Sequence, residues 1–209
     1  MKTRDFYKTI SGNVLEEYAR RAVLGGTIPV DLQKFLKLLP GGRPKLLEVG
    51  CGTGRLGMHL IERTRYIGID FHEPYLSAFR QKLEEARISL EPKQIQKISF
   101  FDFQDDGFDV VLFPWSVISD FTEDGEQTAV LKKACTMLAQ GGMVIIDNFA
   151  KDSVRNSLAG YEPVSFYFDD WQDTFSELGF SSARKVLYAS SINRVREITV
   201  LTKSSARLD

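Results

Sequence analysis

Three glycines alternate across Gly50-Cys51-Gly52-Thr53-Gly54, immediately after the apolar run Leu46 to Val49. At the end of a buried strand, missing β-carbons let the chain turn tightly and let a ligand touch backbone, which is the chemistry of a nucleotide-bearing cofactor site. A second run, Tyr66 to Asp70, ends in an acid twenty residues past Gly50, where a carboxylate can accept hydrogen bonds from a ribose diol. The same letters satisfy the dinucleotide fingerprint, since Gly52, Gly54 and Gly57 spell G-x-G-x-x-G with Asp70 eighteen residues after Gly52. Spacing alone does not separate the two. Glu48 leans one way, because a carboxylate two residues before Gly50 sits poorly beside a pyrophosphate and well beside a cofactor bearing an ammonium group.

Other reactive side chains are few. His59 and His72 are the only histidines; His59 falls in the helix after the glycine turn and reads as packing or surface, and His72 lies at the rim of the Asp70 region. Cys51 and Cys135 lie far apart, which suggests neither a disulfide framework nor a metal site. Lys+Arg 27 against Asp+Glu 28 leaves a formal net charge of -1, so no global field recruits nucleic acid or an anionic membrane. No stretch reaches the roughly 18 uninterrupted apolar residues of a membrane span, and the N-terminus lacks the apolar stretch of a secretory signal. A cytoplasmic protein is expected.

These residues need a scaffold, and the pattern supplies one. The 209 residues, 43% hydrophobic, suit a single domain with one sizeable core. Val14 to Leu24 and Val30 to Leu39 carry apolar residues at helical spacing, and Pro40, Gly41, Gly42 and Pro44 then break the chain. Residues 1–40 are therefore an N-terminal helical segment and 41–209 an α/β core. Within the core, the expected order is strand 45–49, helix 56–63, strand 66–70, helix 74–86, strand 95–101, strand 108–113, helix 126–138 and strand 143–147. A helix at 170–178, closed by Gly179, leads to two alternating runs, 183–190 and 196–203, that read as a terminal hairpin. Strands alternating with helices imply a mostly parallel sheet covered on both faces, with ligands beyond the carboxyl ends of the strands.

With those motifs in order, the sequence resembles the class I S-adenosylmethionine-dependent methyltransferases, in which an E/D-x-G-x-G-x-G turn closes the first strand; here it is Glu48-Val49-Gly50-Cys51-Gly52-Thr53-Gly54. The resemblance implies a Rossmann-like seven-stranded sheet in the order 3-2-1-4-5-7-6, strand 7 antiparallel, with helices on both faces. It implies S-adenosylmethionine as cofactor, with Asp70 on the ribose hydroxyls, Phe71 flanking the adenine and Asp102 reading the adenine amino group. Asp102 stands only five residues before Phe108, so Asp105 or Asp106 could take that role instead. Phe103 and Phe113 complete the cofactor-binding set. FDVVLFPWSVISDF resembles the fourth strand with its loop, LKKACTMLAQGGMVIID the next helix, turn and fifth strand, and FSELGF with two strands the antiparallel end of the fold.

On the acceptor side, Trp115 follows strand 4 and could border the sulfonium or an aromatic acceptor; a core aromatic anchoring the loop is the competing reading. The segment Phe113-Pro114-Trp115-Ser116 is not N-P-P-Y or D-P-P-Y, so nothing supports methylation of an exocyclic nucleic-acid amine. Asp147-Asn148 resembles the D-N pair of metal-dependent catechol-type O-methyltransferases, but strand 4 offers no partner carboxylate, so the two are read as acceptor-side or capping residues and no metal is expected. Tyr7 and Tyr18, with Phe6, and the aromatic segment Gly160 to Trp171 would enclose a small, partly apolar acceptor under an N-terminal lid. No catalytic base is identifiable. The expected activity is methyl transfer to a small molecule, with nucleic acid not expected as a partner and a homodimer left open. An NAD-dependent oxidoreductase and a non-catalytic cofactor-binding subunit are the competing readings.

Overall fold

The computed structural model describes residues 30–151, 164–190 and 194–205. Helix α1 (Val30–Leu38) leads to β1 (Lys45–Val49), α2 (Gly57–Leu60), β2 (Arg65–Asp70), α3 (Glu73–Glu85), β3 (Ile95–Lys97) and β4 (Phe108–Phe113). A 3-10 turn (Val117–Asp120), α4 (Glu126–Met137), β5 (Leu138–Phe149), α5 (Phe168–Trp171), β6 (Phe180–Ala189) and β7 (Val195–Lys203) follow. The strands form one sheet in the order β3-β2-β1-β4-β5-β7-β6. β1 pairs in parallel with β2 and β4, and β7 runs antiparallel to both β5 and β6. This is the Rossmann-like arrangement expected from the sequence.

Alternation along the strands divides the core into two layers. Leu46, Val110, Leu112, Ile145, Ile198 and Val200 face one way, onto Leu32 and Phe35 of α1, Leu60 of α2, and Leu76 and Phe79 of α3. Leu47, Val49, Val111, Phe113, Val144 and Ile146 face the other, onto Val130, Leu131 and Ala134 of α4 and onto Phe166, Phe168 and Phe175. Each such side chain, fully removed from water, favours folding by about 1.5–3 kcal/mol.

Several boundaries moved. β3 stops at Lys97 rather than near Phe101, because the Ile98 N–H donates to Asp70 O and the Asp102 and Phe103 amides both fold back on Ser99 O. β5 starts at Leu138 and ends at Phe149, longer than 143–147, since β7 pairs with it as far as Phe149. The expected helix 170–178 is regular only over Phe168–Trp171 and continues to Gly179 as successive turns.

Candidate functional site: a glycine turn beside a clamped tryptophan

The strand order reverses between β1 and β4, so the segments leaving their carboxyl ends lie side by side at the switch point. The glycine turn leaves β1. The Gly50 and Cys51 N–H groups donate to Ile69 O (2.8 and 3.1 Å), and the Lys82 ammonium of α3 donates to Thr53 O (3.0 Å). The glycines do different work. A β-carbon on Gly50 would stand 2.8 Å from a Val117 methyl, and one on Gly54 would overlap the Phe79 ring. A β-carbon on Gly52 would meet nothing within 4 Å, although its φ is +53°. Packing thus requires Gly50 and Gly54, whereas Gly52 presents bare backbone to open space, where a ligand can approach.

Asp70 ends β2 and turns its carboxylate toward that space, accepting from the Gly52 N–H (3.0 Å) and the His72 N–H (2.9 Å). Burial raises its pKa, opposed by the backbone amides around it. A carboxylate offers about four lone-pair sites, so capacity remains for hydroxyl donors. Phe71 is half-buried beside it, its ring 6.4 Å from that of His72, which in turn packs edge-on to Tyr75 at 4.3 Å. Bare backbone at Gly52, an acid aimed at it and an aromatic beside that acid fit a ribose and adenine.

Glu48 is 2% exposed on the α1–α3 side of β1, where it accepts a 2.6 Å hydrogen bond from the Tyr66 hydroxyl. Burial pushes its pKa up to about 8, outweighing the Tyr66 bond and the Arg55 charge. Burial thus works against the negative charge on which its sequence-based role depends, because the carboxyl is desolvated beneath the turn. Cys51 is buried next to this pair, and burial first, then the nearby Asp70, keep its thiol protonated.

Other assignments change more. Phe113 (0% exposed) and Phe103 (3%) belong to the core under α4, packing on Phe100 and Phe108 at 5.3 and 6.1 Å, because their positions face the helix layer. Asp102 is exposed and accepts from Ser99 Oγ at 2.7 Å, closing the turn after β3. Asp105 pairs with Lys45 at the opposite, amino-terminal end of β1, away from the glycine turn. Asp147 is fully buried: Arg196 Nε and Nη2 donate to its two oxygens at 2.9 Å each, and the Tyr188 hydroxyl and the Trp115 N–H add bonds of 2.8 and 3.0 Å. Asn148 donates to Phe166 O (2.7 Å) and accepts from Ser119 Oγ (3.3 Å). Both are structural anchors rather than acceptor contacts, since their hydrogen-bonding groups are engaged inside the protein. Among the described residues no group of three His, Cys, Asp or Glu could hold a metal ion. Tyr7 and Tyr18 lie outside the described residues.

Trp115 is half-buried and, with Ser116, left-handed (φ +50° and +67°), an uncommon backbone for such residues. The Arg55 guanidinium lies 4.3 Å from its ring centroid and that of Arg196 5.7 Å. Arg55 in turn makes two bonds, 2.9 and 2.7 Å, to Asp31 of α1. Sequence reading missed Arg55, Asp31, Arg196, Tyr188 and Tyr66. One signal was available: Arg196 falls at the same strand period as the apolar Ile198 and Val200 of β7, the sort of position at which a charge needs a partner.

A sheet of this order, reversing at a glycine turn faced by an acid, defines the Rossmann-like class I methyltransferase fold. Residues 46–142 match a family model described as a methyltransferase domain. It is 33% identical over 142 residues to a phosphatidylethanolamine N-methyltransferase of Cereibacter sphaeroides, covering 63% of this chain and 65% of that protein. A second curated relative, from Geobacillus sp. (strain WCH70), is 25% identical over 107 residues, 51% of this chain and 42% of its own length. The matches thus span less than two thirds of these relatives. Among solved structures, magnesium protoporphyrin IX methyltransferase (ChlM) from Synechocystis PCC 6803 with bound SAH superposes with a TM-score of 0.71 at 15% identity, covering 96% of this chain and 98% of that one. That likeness establishes the fold.

Proposed function

We propose that the protein transfers a methyl group from S-adenosylmethionine to a small-molecule acceptor. The observation that carries this reading is the open space over Gly52, faced by the Asp70 carboxylate, at the switch point of a methyltransferase sheet. S-adenosylmethionine supplies a methyl on a positively charged sulfur, already activated for displacement. The protein's part is to hold donor and acceptor in line and to keep the acceptor unprotonated where that is needed. Asp70 would hold the ribose hydroxyls, Phe71 would flank the base, the Gly52 backbone would let the cofactor approach, and Trp115 would border the acceptor.

Residues 1–40, of which 1–29 lie outside the described residues, would act as a lid over the acceptor, on a single domain spanning 1–209. Among the described residues no helix is long and apolar enough to cross a membrane. A cytoplasmic location and a homodimer belong to the same proposal, and cell fractionation and light scattering test them. Calorimetry with S-adenosylmethionine and NAD in separate titrations tests the cofactor; heat with NAD alone would refute the proposal in favour of an oxidoreductase. Release of S-adenosylhomocysteine, followed against a panel of small amines, hydroxyls and carboxylates, tests the acceptor. Ethanolamine-headgroup lipid is the first to try, because the Cereibacter relative is named for it. Copurification with a partner enzyme, without release against any acceptor, would favour a non-catalytic subunit.

A further inference from the structure

We propose that Arg55 is a positioning residue for the acceptor side of the site: tied to Asp31 and laid over Trp115, it holds that ring where an incoming acceptor meets the donor methyl. This rests on the methyltransferase reading. Its basis is that one side chain joins three elements. Arg55 directly follows Gly54, so its backbone belongs to the donor-binding turn. Its two bonds to the Asp31 carboxylate fix the guanidinium plane, with the two side chains only 15% and 7% exposed. That plane lies 4.3 Å from the Trp115 centroid, where a delocalised cation is attracted to an electron-rich ring.

Trp115 needs such restraint. Its left-handed backbone, and that of Ser116, persist only because their surroundings over-determine them. The Trp115 N–H bonds to Asp147 Oδ2 (3.0 Å), the Ser116 N–H to Asp147 O (2.7 Å), and Arg196 reaches Ser116 Oγ (3.1 Å). These bonds hold the main chain of the loop. Arg55 supplies a contact to the ring from the donor side, with Arg196 further off at 5.7 Å. The loop also presses on the turn itself, since Val117 occupies the place a Gly50 β-carbon would take. A ring held this way stands beside the donor turn at the carboxyl end of β4, and it remains half-buried rather than sealed in the core. The guanidinium is committed to Asp31, so its charge is balanced and the wall it supports favours a neutral or apolar acceptor face.

The test uses the full chain carrying Trp171→Phe, which leaves Trp115 as the single tryptophan. S-adenosylhomocysteine is the probe, followed by calorimetry and by Trp115 emission, with acrylamide quenching as a measure of ring exposure. The paired variant Asp31→Asn/Arg55→Met removes both charges together, so neither is left buried and alone. It is expected to bind the probe within about threefold of the parent, while losing most of the emission response and becoming about twice as quenchable. Arg55→Lys, which keeps a cation over the ring, should restore part of the response. Unchanged emission and quenching in the paired variant would overturn the proposal, as would a parent whose Trp115 ignores the bound probe. A loss of affinity that tracks the loss of signal would make Arg55 a donor ligand instead. Absence of any binding heat in the parent is a separate outcome, and it would refute the cofactor reading underneath.

Discussion

Glu48→Gln isolates the most unusual electrostatic feature of the site. The wild-type carboxyl is 2% exposed, and burial lifts its pKa from 4.5 to about 8. In the unfolded chain the group loses its proton near 4.5; in the folded protein it keeps that proton to about 8. Unfolding between these values therefore releases a proton, and stability falls as pH rises. The contribution is fully present below 4.5 and is lost progressively as pH rises through 8, at up to about 1.4 kcal/mol per pH unit. Over the whole window the loss is about 5 kcal/mol, a large share of an ordinary domain's stability. Glutamine has nearly the same shape, can still accept from the Tyr66 hydroxyl and does not titrate. Urea unfolding of both proteins at pH 5, 6, 7 and 8 should find them within about 1 kcal/mol at the acid end. The variant should become the more stable one as pH rises, with its midpoint about 2 M higher at pH 8. Asp70 and Glu197 also have raised pKa values, so both proteins retain some decline and the difference between the curves is the measurement. Two parallel curves would refute a proton held on Glu48.

Asp70→Ala should weaken S-adenosylhomocysteine binding by about 1–3 kcal/mol, the loss of charge-assisted bonds to a ribose, and should also lower the melting temperature because the Gly52 and His72 amides lose their acceptor; calorimetry at native affinity would refute the assignment. Gly52→Ala and Gly54→Ala separate ligand space from packing: the first should fold at a cost of about 1 kcal/mol and bind cofactor poorly, whereas the second overlaps Phe79 and should lower thermal stability markedly. Arg196→Met alone leaves Asp147 buried and unpaired and should cost about 3–5 kcal/mol, while Asp147→Asn/Arg196→Met should regain most of it. Denaturant titration measures both, and additive effects would refute the pairing.

Much of the donor side could be read from local patterns. Short-range chemistry governs it: apolar runs become strands, alternating glycines turn, and an acid at the end of the next strand lies beside that turn because parallel strands share their carboxyl ends. Hence Gly52 and Asp70 lie within hydrogen-bond distance, and β1 and β4 have the expected bounds. Phe103, Phe113, Asp147 and Asn148 were misjudged for the same physical reason: a residue at a strand end or in the turn beyond it can face core or cleft, and only packing against α4, β7 and the segment around Phe166 chooses.

The sequence by itself determined that a buried strand runs into a glycine turn with an acid at the end of the next strand, since these are properties of residue type and spacing. The tertiary structure decided the ionisation of Glu48, because desolvation depends on what covers a side chain. It also decided the company of Trp115, because Asp31, Arg55, Asp147 and Arg196 are distant along the chain and meet only where α1, β5 and β7 close around the ends of β1 and β4.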